Sequence, residues 1–240
     1  MNNPNGPYPG RQLFTGLTVE NKPCFAYLVT GRSAASRERI ATPLENGVRI
    51  GPLGGLQYDP LRHYSAVKYS RSSGILAVSN GIQTEAIFEM YQLLFNTSGK
   101  PGKEYLESIL EGAGAEPDPP INTPRIAGVI TRSSGGEPVF IIGIKASGKA
   151  ARAWQNPATP GKIFGVAVYR GDMDSPQATD PDSTPSQIEF KEKSPRELAE
   201  LLFDISGATS KGSDIRVCSV GGVRSENRQW EIFIKNVHAI

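Results

Sequence analysis

Turn-forming residues divide this chain into many short segments. Its 240 residues include 26 glycines and 19 prolines, above the average usage of about 7% and 5%. They lie between short runs rich in β-branched and aromatic side chains rather than in one block. Frequent turns between such runs are typical of strands joined by hairpins. The spacing therefore predicts a chain dominated by antiparallel β-structure.

Two pairs of these runs carry hairpin signals. Residues 39–44 and 48–50 flank Asn46 and Gly47, which both tolerate the positive φ of a tight turn. Residues 64–69 and 75–78 flank a Ser-Ser-Gly turn. The other predicted strands are residues 12–19, 24–30, 125–130, 139–144, 163–169, 215–220 and 230–237.

Three segments have the pattern of helices. In residues 84–95 apolar side chains recur at three- and four-residue spacing, as on a helix that faces a core. A second predicted helix covers residues 103–110, with Gly112 as its C-terminal stop. A third begins after Ser194, where Ser-Pro-Arg-Glu forms a capping box with proline at the first helical position. Strands and helices together predict an α+β fold in which helices cover antiparallel sheets.

Length and charge limit the function classes. No break in composition divides the chain, so we expect one domain over residues 1–240, with a polar surface excursion at about residues 172–187. The 26 basic and 24 acidic residues disfavour a nucleic-acid partner. No apolar run approaches the ~20 residues of a membrane span, and the N-terminus does not read as a signal peptide. We expect a cytoplasmic protein without membrane partners, and assembly into a homo-oligomer stays open.

Metal-binding residues are few. The chain has two histidines, His63 and His238, and two cysteines, Cys24 and Cys218, and no ligand spacing connects them. A histidine-based metal site is therefore not expected. The common phosphate-loop, dinucleotide, nucleophile-elbow and zinc-protease motifs do not occur in the sequence.

A first candidate site lies at residues 79–85, where a predicted strand meets a predicted helix. A helix N-terminus presents free N–H groups and a partial positive charge to an anion. Asn80 and Thr84 would add side-chain hydrogen bonds, and Gly81 would permit close approach. The alternative is that Thr84 only caps the helix and Gly81 only makes a turn.

A second candidate, residues 30–39, contains three arginines and two serines directly after a predicted strand. Guanidinium groups match phosphate or carboxylate oxygens with paired hydrogen bonds. The alternative is a solvated loop whose arginines pair with Glu38.

A third candidate is the proline-rich loop that enters the strand at residue 125. Asn122 and Arg125 face a pocket there or satisfy backbone groups of the loop. Glu116 and Asp118 lie just before them and are candidate catalytic carboxylates or solvated acids.

Taken in order, these segments resemble the archaeal-type IMP cyclohydrolase family. Gly-Arg at residues 10–11, followed by a loop with two further arginines, is similar to the family's start. Ser-Asn-Gly at residues 79–81 is similar to its Ser-Asn-Gly-Ser-His-Thr-Asp, and Asn-Thr-Pro-Arg-Ile-Ala at residues 122–127 matches fully. Tyr64 and Lys68 resemble the Tyr-Asn-Cys-Ile-Arg stretch between them. The resemblance covers roughly residues 8–145.

The resemblance implies a fold and a reaction. The fold is a four-layered αββα sandwich of antiparallel sheets like that of N-terminal-nucleophile hydrolases, used without the terminal nucleophile. The reaction closes 5-formamidoimidazole-4-carboxamide ribonucleotide to IMP with loss of water, a hydrolase-class step of purine biosynthesis. A purine ribonucleotide is then the small-molecule partner, and neither a metal nor an organic cofactor is expected.

The resemblance also implies roles for the candidate residues. Tyr64 would relay a proton or donate to the developing oxyanion, with Glu116 or Asp118 as the base. The other implied residues bind the phosphate or the carboxamide of the substrate, and they are Arg32, Ser33, Arg37, Asn80, Gly81, Gln83, Thr84, Asn122 and Arg125.

Two alternatives stay open. Gln83 stands where the family has histidine, and glutamine cannot exchange a proton near neutral pH. This favours a paralogue that binds a purine ribonucleotide without cyclising it. The second alternative, an amide hydrolase of the related fold, is disfavoured because no Ser, Thr or Cys precedes Thr15.

Overall fold

Two antiparallel sheets contain most of the strands. The computed structural model describes residues 3–55, 57–206, 209–210, 213–227 and 229–238. Its elements in chain order are β1 (Arg11–Leu17), β2 (Pro23–Thr30), α1 (Ala34–Arg37), β3 (Arg39–Leu44), β4 (Gly47–Pro52), β5 (Tyr64–Tyr69), β6 (Leu76–Ser79), α2 (Gln83–Asn96), α3 (Lys103–Ala113), β7 (Arg125–Arg132), β8 (Pro138–Lys145), β9 (Arg152–Asn156), β10 (Lys162–Ala167), β11 (Tyr169–Arg170), β12 (Gln177–Ala178), β13 (Ser186–Glu189), α4 (Pro195–Ile205), β14 (Thr209–Ser210), β15 (Ser213–Asp214), β16 (Arg216–Arg224) and β17 (Trp230–Asn236).

Strand order differs between the two sheets. The seven-stranded sheet runs β3-β4-β5-β6-β7-β8-β9, so each strand pairs with its neighbour in sequence. The six-stranded sheet runs β13-β10-β1-β2-β16-β17, which places the β1–β2 hairpin at its centre. The pairs within both sheets are antiparallel. The predicted α+β class with antiparallel sheets is confirmed.

Strands β1 and β2 are apolar on both faces because each face meets a different layer. Side chains alternate between the faces of a strand. On one face Leu13 and Tyr27 contribute to an apolar core shared with the seven-stranded sheet. On the other face Phe14 and Leu28 pack with residues of α4. Both faces of these strands are therefore buried, including the polar side chains of Gln12 and Thr15 on β1.

Helices α2 and α3 cover the outer face of the seven-stranded sheet. Ile87 and Tyr91 of α2 and Leu106 and Leu110 of α3 pack there with side chains of the sheet. The layers therefore follow as α2 with α3, the seven-stranded sheet, the six-stranded sheet and α4. This order is consistent with the expected αββα sandwich. No helix among the described residues is long and apolar enough to cross a membrane.

The β3–β4 hairpin turns one residue earlier than the sequence predicts. The turn residues are Glu45 and Asn46, because Leu44 pairs with Gly47 inside the ladder. A Cβ atom on Gly47 would lie 2.1 Å from the carbonyl oxygen of Val67. Glycine at this position permits close approach of β5 rather than the positive φ of a turn.

Two predictions about helix ends are wrong. Helix α3 continues through Gly112 and ends before Gly114, whose φ of 65° suits a residue without a Cβ. Helix α2 begins at Gln83 with Ile82 as N-cap, so Thr84 lies inside its first turn and does not cap it. By contrast, the capping box at Ser194 is confirmed, with both of its reciprocal hydrogen bonds.

The polar excursion at residues 172–187 is anchored to the seven-stranded sheet. Lys149 Nζ lies 2.7 Å from Asp180 Oδ1, and Arg152 Nε lies 3.2 Å from Asp182 Oδ1. The excursion leads into β13, an edge strand of the other sheet. The sequence analysis did not predict β13 or β9, because both are short and mostly polar.

Candidate active site

A polar cleft of about 130 Å³ opens where β1 begins and β2 ends. The antiparallel pairing of β1 with β2 brings these two strand ends together. The loop from β2 to β3, the loop before β7 and the first residue of β11 complete its walls. Its charged and hydroxyl-bearing lining includes Arg11, Arg32, Ser33, Arg39, Asp118 and Thr123.

Glycine at position 10 fixes the start of β1 against the cleft wall. Gly10 has a φ of 66°, and a Cβ atom there would lie 2.4 Å from Val168 and 2.6 Å from the Tyr169 ring. Its carbonyl oxygen accepts hydrogen bonds from Thr30 N and Thr30 Oγ1, both at 2.7 Å. Only glycine fits this approach, and the next residue, Arg11, is thereby placed at the cleft.

Arg11 forms a buried ion pair with Glu116. Its Nη2 lies 2.8 Å from both carboxylate oxygens, and Asn80 Nδ2 donates to Oε1 at 3.3 Å. Burial raises the pKa of the Glu116 carboxyl, and the Arg11 charge opposes that rise. Glu116 is thus engaged in holding Arg11, and it does not line the cleft itself.

Arg39 is the most deeply buried cation of the cleft, with 2% of its surface exposed. Its Nε donates to Ser36 O at 2.7 Å and its Nη2 to Thr30 O at 3.2 Å. Its Nη1 has no hydrogen-bond partner among the described residues. Burial lowers the pKa of this guanidinium. A buried charge held only by neutral carbonyl groups is unusual, since such charges are normally paired.

Two tyrosine hydroxyls meet within the core between the sheets. Tyr27 Oη lies 2.7 Å from Tyr64 Oη, and both side chains are buried. Burial raises the pKa of both phenols, while the charges of Arg11 and Arg39 oppose the rise at Tyr64. Tyr64, the predicted proton relay, is not among the residues that line the cleft. It lies in the core, close enough to the arginines for their charges to act on it.

A hydrogen-bonded chain of side chains runs along one wall. Asp118 accepts from Thr123 N and Thr123 Oγ1, both at 2.6 Å, and Thr123 Oγ1 lies 2.5 Å from Tyr169 Oη. The Tyr169 ring stacks on Tyr8, with centroids 5.6 Å apart and planes at 13°. Burial raises the pKa of Tyr169 to about 12. The wall therefore offers a carboxylate, hydroxyl groups and an aromatic face together.

The loop of residues 31–38 divides the predicted arginine cluster. Arg32 and Ser33 line the cleft at its exposed rim, and Ser33 also caps the short helix α1 by accepting from Ser36 N. Arg37 does not line it; its Nη1 donates to Gly31 O at 3.3 Å and to Arg32 O at 3.0 Å. Arg39, which follows this loop at the start of β3, also lines the cleft, and unlike Arg32 it is buried there.

The predicted anion site at the start of α2 is a buried network behind the cleft. Asn80 Oδ1 accepts from Gln83 Nε2 at 3.0 Å and from Ile126 N at 2.9 Å. Gln83 Oε1 accepts from Arg125 Nη1 at 2.9 Å. The two side chains cover Gly81, where a Cβ atom would lie 2.4 Å from Arg125 Nη1. These residues connect α2 to β7, and none of them lines the cleft.

The last two predicted residues have backbone roles. Thr84 Oγ1 lies 2.6 Å from Ser79 Oγ and donates to Gly81 O at 3.1 Å, so it is internal to the β6–α2 turn. Asn122 adopts a φ of 47°, and its N–H donates to Asp118 O at 3.2 Å. It shapes the loop that carries Asp118.

Sequence reasoning did not assign Arg11, Arg39, Tyr27, Tyr8 or Tyr169 to the site. Arg11 was visible in the Gly-Arg pair of the family resemblance, and Arg39 in the arginine-rich segment. Tyr8 and Tyr27 stand in the two segments that resemble the start of the family, but the resemblance implied no role for them, and Tyr169 carries no local signal. Only the fold brings Tyr8 and Tyr169 to one wall. In the part of the chain that is described, no group of three His, Cys, Asp or Glu side chains could hold a metal ion.

Comparison with known proteins identifies a family. A family model described as IMP cyclohydrolase-like protein matches residues 8–228. No curated protein matches the chain. The match contains every wall of the cleft and extends well beyond residue 145, where the motif resemblance ends, into β16. The chain belongs to the IMP cyclohydrolase-like protein family.

Proposed function

We propose that the protein is an IMP cyclohydrolase that closes 5-formamidoimidazole-4-carboxamide ribonucleotide to IMP. The observation that carries the proposal is the cleft, in a chain of this family, where Arg11, Arg39 and Asp118 line one polar space. The proposal includes an N-terminal-nucleophile-hydrolase-like fold, which the helix–sheet–sheet–helix layering supports. It also includes action in the cytoplasm, without a metal or organic cofactor.

The reaction needs a base and a hydrogen-bond donor. The carboxamide nitrogen loses a proton as it attacks the formyl carbon, and the formyl oxygen gains charge, is protonated and leaves as water. General acid–base assistance contributes about 10²–10⁴-fold, and a donor to the developing oxyanion about 10²–10³-fold. Nucleophile and electrophile belong to one molecule, so the site must mainly hold a reactive conformer.

Asp118 is the better placed of the two candidate bases. It lines the cleft, and its hydrogen bonds from Thr123 fix its orientation. Glu116 instead holds Arg11 through both carboxylate oxygens. We assign proton removal to Asp118 and the positioning of Arg11 to Glu116.

Tyr64 is the proposed donor; because it lies in the core and does not line the cleft, it would reach the reacting oxygen only after a rearrangement of the side chains between them. Its hydroxyl is bonded to Tyr27, and burial raises the pKa of the phenol, while the charges of Arg11 and Arg39 oppose that rise. The stacked rings of Tyr8 and Tyr169 form a flat wall that suits an imidazole ring. Among the other predicted residues, Arg32 and Ser33 meet the substrate at the rim, while the network of Asn80, Gly81, Gln83, Thr84 and Arg125 supports the cleft from behind.

One observation favours a second candidate function. Gln83, at the position of the family histidine, is hydrogen-bonded within the described residues to Asn80, Ile126 and Arg125. A protein that binds a purine ribonucleotide without cyclising it would keep the cleft and lack the proton-exchanging side chain. The placement of Gln83 behind the cleft, however, supports a structural role at this position and leaves the proposed chemistry to residues of the cleft.

Product analysis separates the candidate functions. Purified protein is incubated with the formamido ribonucleotide, with and without a chelator, and products are resolved by chromatography with heat-denatured protein as control. We expect IMP in both arms. Formate with the amino compound would indicate an amide hydrolase, and IMP that binds in calorimetry without turnover would indicate the non-cyclising paralogue. Activity lost on chelation and restored by zinc or magnesium would contradict the cofactor-free proposal.

A further inference from the structure

Two edge strands from different sheets meet beside the cleft. Strand β3 ends the seven-stranded sheet, and strand β17 ends the six-stranded sheet. The two strands are in contact, and Ala41 of β3 and Ile234 of β17 belong to the same apolar core. An edge strand presents N–H and C=O groups that no neighbouring strand pairs. Because Arg39 is the first residue of β3, the placement of this edge decides where Arg39 lies.

The side chain of Asn236 pairs with the open edge of β3. Ala41 N donates to Asn236 Oδ1 at 2.9 Å, and Asn236 Nδ2 donates to Ala41 O at 3.0 Å. A side-chain amide carries both an acceptor and donors, so it can pair with the main chain of one residue as a strand would. Asn236 itself pairs with Cys218 in the ladder of β16 and β17. The amide therefore ties β3 to the six-stranded sheet.

A second contact follows two residues later. Val237 N donates to Val217 O at 2.9 Å, which keeps the chain beside β16 beyond the end of β17. His238 Nε2 then lies 3.2 Å from Arg37 O, at the end of α1. A carbonyl oxygen can only accept, so this contact requires the proton on Nε2.

Residues 236–238, here called the strap, hold the main chain on both sides of Arg39. Their contacts fall on Arg37 and on Ala41, which stand two residues before and two residues after it. The strap thus connects the central strands of the six-stranded sheet to the segment that carries this guanidinium.

Arg39 depends on such anchoring. Its hydrogen bonds go to carbonyl oxygens of Ser36 and Thr30, and no ion pair within the described residues joins it to a carboxylate. Burying a charge without a counter-charge costs free energy. A movable segment would release that cost by turning the guanidinium toward water, and the strap opposes this movement.

We propose that Asn236 and His238 are positioning residues, which hold residues 37–41 so that Arg39 keeps its place in the cleft. The family model matches residues up to 228, so the strap follows the matched part of the chain. The effect of the strap on turnover rests on the proposed function. Its effect on Arg39 does not, because it is measured on the protein alone.

Chemical modification of arginine tests the position of Arg39 directly. Phenylglyoxal labelling is followed by peptide mass spectrometry, with exposed Arg71 as the internal reference. Asn236→Leu removes both hydrogen bonds to Ala41 and should raise the labelling rate of Arg39 roughly tenfold or more, through local opening of the segment. Asn236→Asp keeps the acceptor for Ala41 N and loses the donor to Ala41 O, so it should give a smaller rise.

A matched variant controls for the loss of stability. Tyr91→Phe removes a buried hydrogen bond to Gly102 O on the outer face of the seven-stranded sheet. It should leave the labelling rate of Arg39 within about twofold of the wild type, because distant sites act independently. Unchanged labelling of Arg39 in folded Asn236→Leu, or an equal rise in Tyr91→Phe, would overturn the proposal.

A pair of variants at His238 keeps the test decisive if Asn236→Leu does not fold. His238→Leu cannot donate to Arg37 O and should raise the labelling of Arg39 severalfold. His238→Gln retains an amide donor and should stay near the wild-type rate. Equal labelling of Arg39 in both variants would contradict the role of His238.

Steady-state kinetics then show whether the positioning matters for the reaction. For cyclisation of the formamido ribonucleotide, Asn236→Leu should lower kcat/KM roughly fivefold or more, since small displacements in a site are costly. Tyr91→Phe should keep both kcat and KM. Faster labelling of Arg39 with unchanged kcat and KM would contradict a role in turnover. Absence of turnover in the wild type would refute the proposed function, while the labelling rates still decide the strap.

Discussion

The hydroxyl of Tyr64 bonds to the hydroxyl of Tyr27 in a buried position. Removing it leaves the Tyr27 hydroxyl without that partner, so the Tyr64→Phe variant should lose about 1–3 kcal/mol of unfolding free energy. If Tyr64 also donates to the reacting oxygen, kcat should fall about 10²-fold or more while the substrate Kd stays near that of the wild type. Single-turnover rates and chemical denaturation measure the two effects separately.

Two further variants give this test its controls. Tyr27→Phe breaks the same hydrogen bond but keeps the Tyr64 hydroxyl, so it should lose similar stability with a much smaller loss of kcat. Tyr69→Phe, on the same strand but bonded to Glu45 O, should keep kcat. Unchanged turnover in folded Tyr64→Phe would assign Tyr64 a structural role only.

The cleft shows which of the predicted site residues the fold brings together. Arg32, Ser33 and Asp118 were predicted to belong to the site, and they line the cleft. Local sequence could not tell Arg37 from Arg39, because the difference between them is burial, which the path of β3 decides. Local sequence also could not show that the Asn80 side chain is buried. Its hydrogen-bond partners, Pro124 O and Ile126 N, lie some forty residues away in the sequence.

At the scale of elements, the sequence predicted correctly those features that depend on hydrogen bonds between residues close together in the chain. The capping box at Ser194 was predicted residue by residue, because its hydrogen bonds join residues three apart. The turn before Gly47 was misplaced, because glycine is needed at this position for the close approach of strand β5 and not for the turn. Edge strands β9 and β13 were missed, because their pairing partners, and not their own composition, make them strands.

The capping box also gives a prediction for helix α4. Ser194→Ala removes the acceptor for Glu197 N and should cost about 1 kcal/mol of unfolding free energy. Ser194→Asn retains a side-chain acceptor and should remain close to the wild type. Urea denaturation of the three proteins provides the comparison. Equal stability of all three would mean that α4 is held only by its apolar face.

At the scale of the whole molecule, we expect the two sheets to unfold together. They share one apolar core, and Trp230 Nε1 in the six-stranded sheet donates to Gly74 O of the β5–β6 turn at 3.2 Å. The chain has two tryptophans, one in each sheet: Trp154 on β9 and Trp230 on β17. Each can therefore report on its own sheet.

Single-tryptophan variants measure this cooperativity. In Trp154→Phe the remaining fluorescence reports on β17, and in Trp230→Phe on β9. Within each variant the fluorescence midpoint in urea should coincide with the midpoint from circular dichroism, as for a single cooperative domain. Two separated midpoints within one variant would show that the sheets are independent folding units and contradict the single-domain prediction.

The main-chain anchoring of Arg39 has a consequence for how such a site can change over time. Its two acceptors are carbonyl oxygens of Ser36 and Thr30, and a carbonyl oxygen is present whatever side chain the position carries. Substitutions in the loop can therefore accumulate while the guanidinium keeps its place. Loops with different side chains can therefore hold the Arg39 guanidinium in the same position, because its two acceptors belong to the main chain.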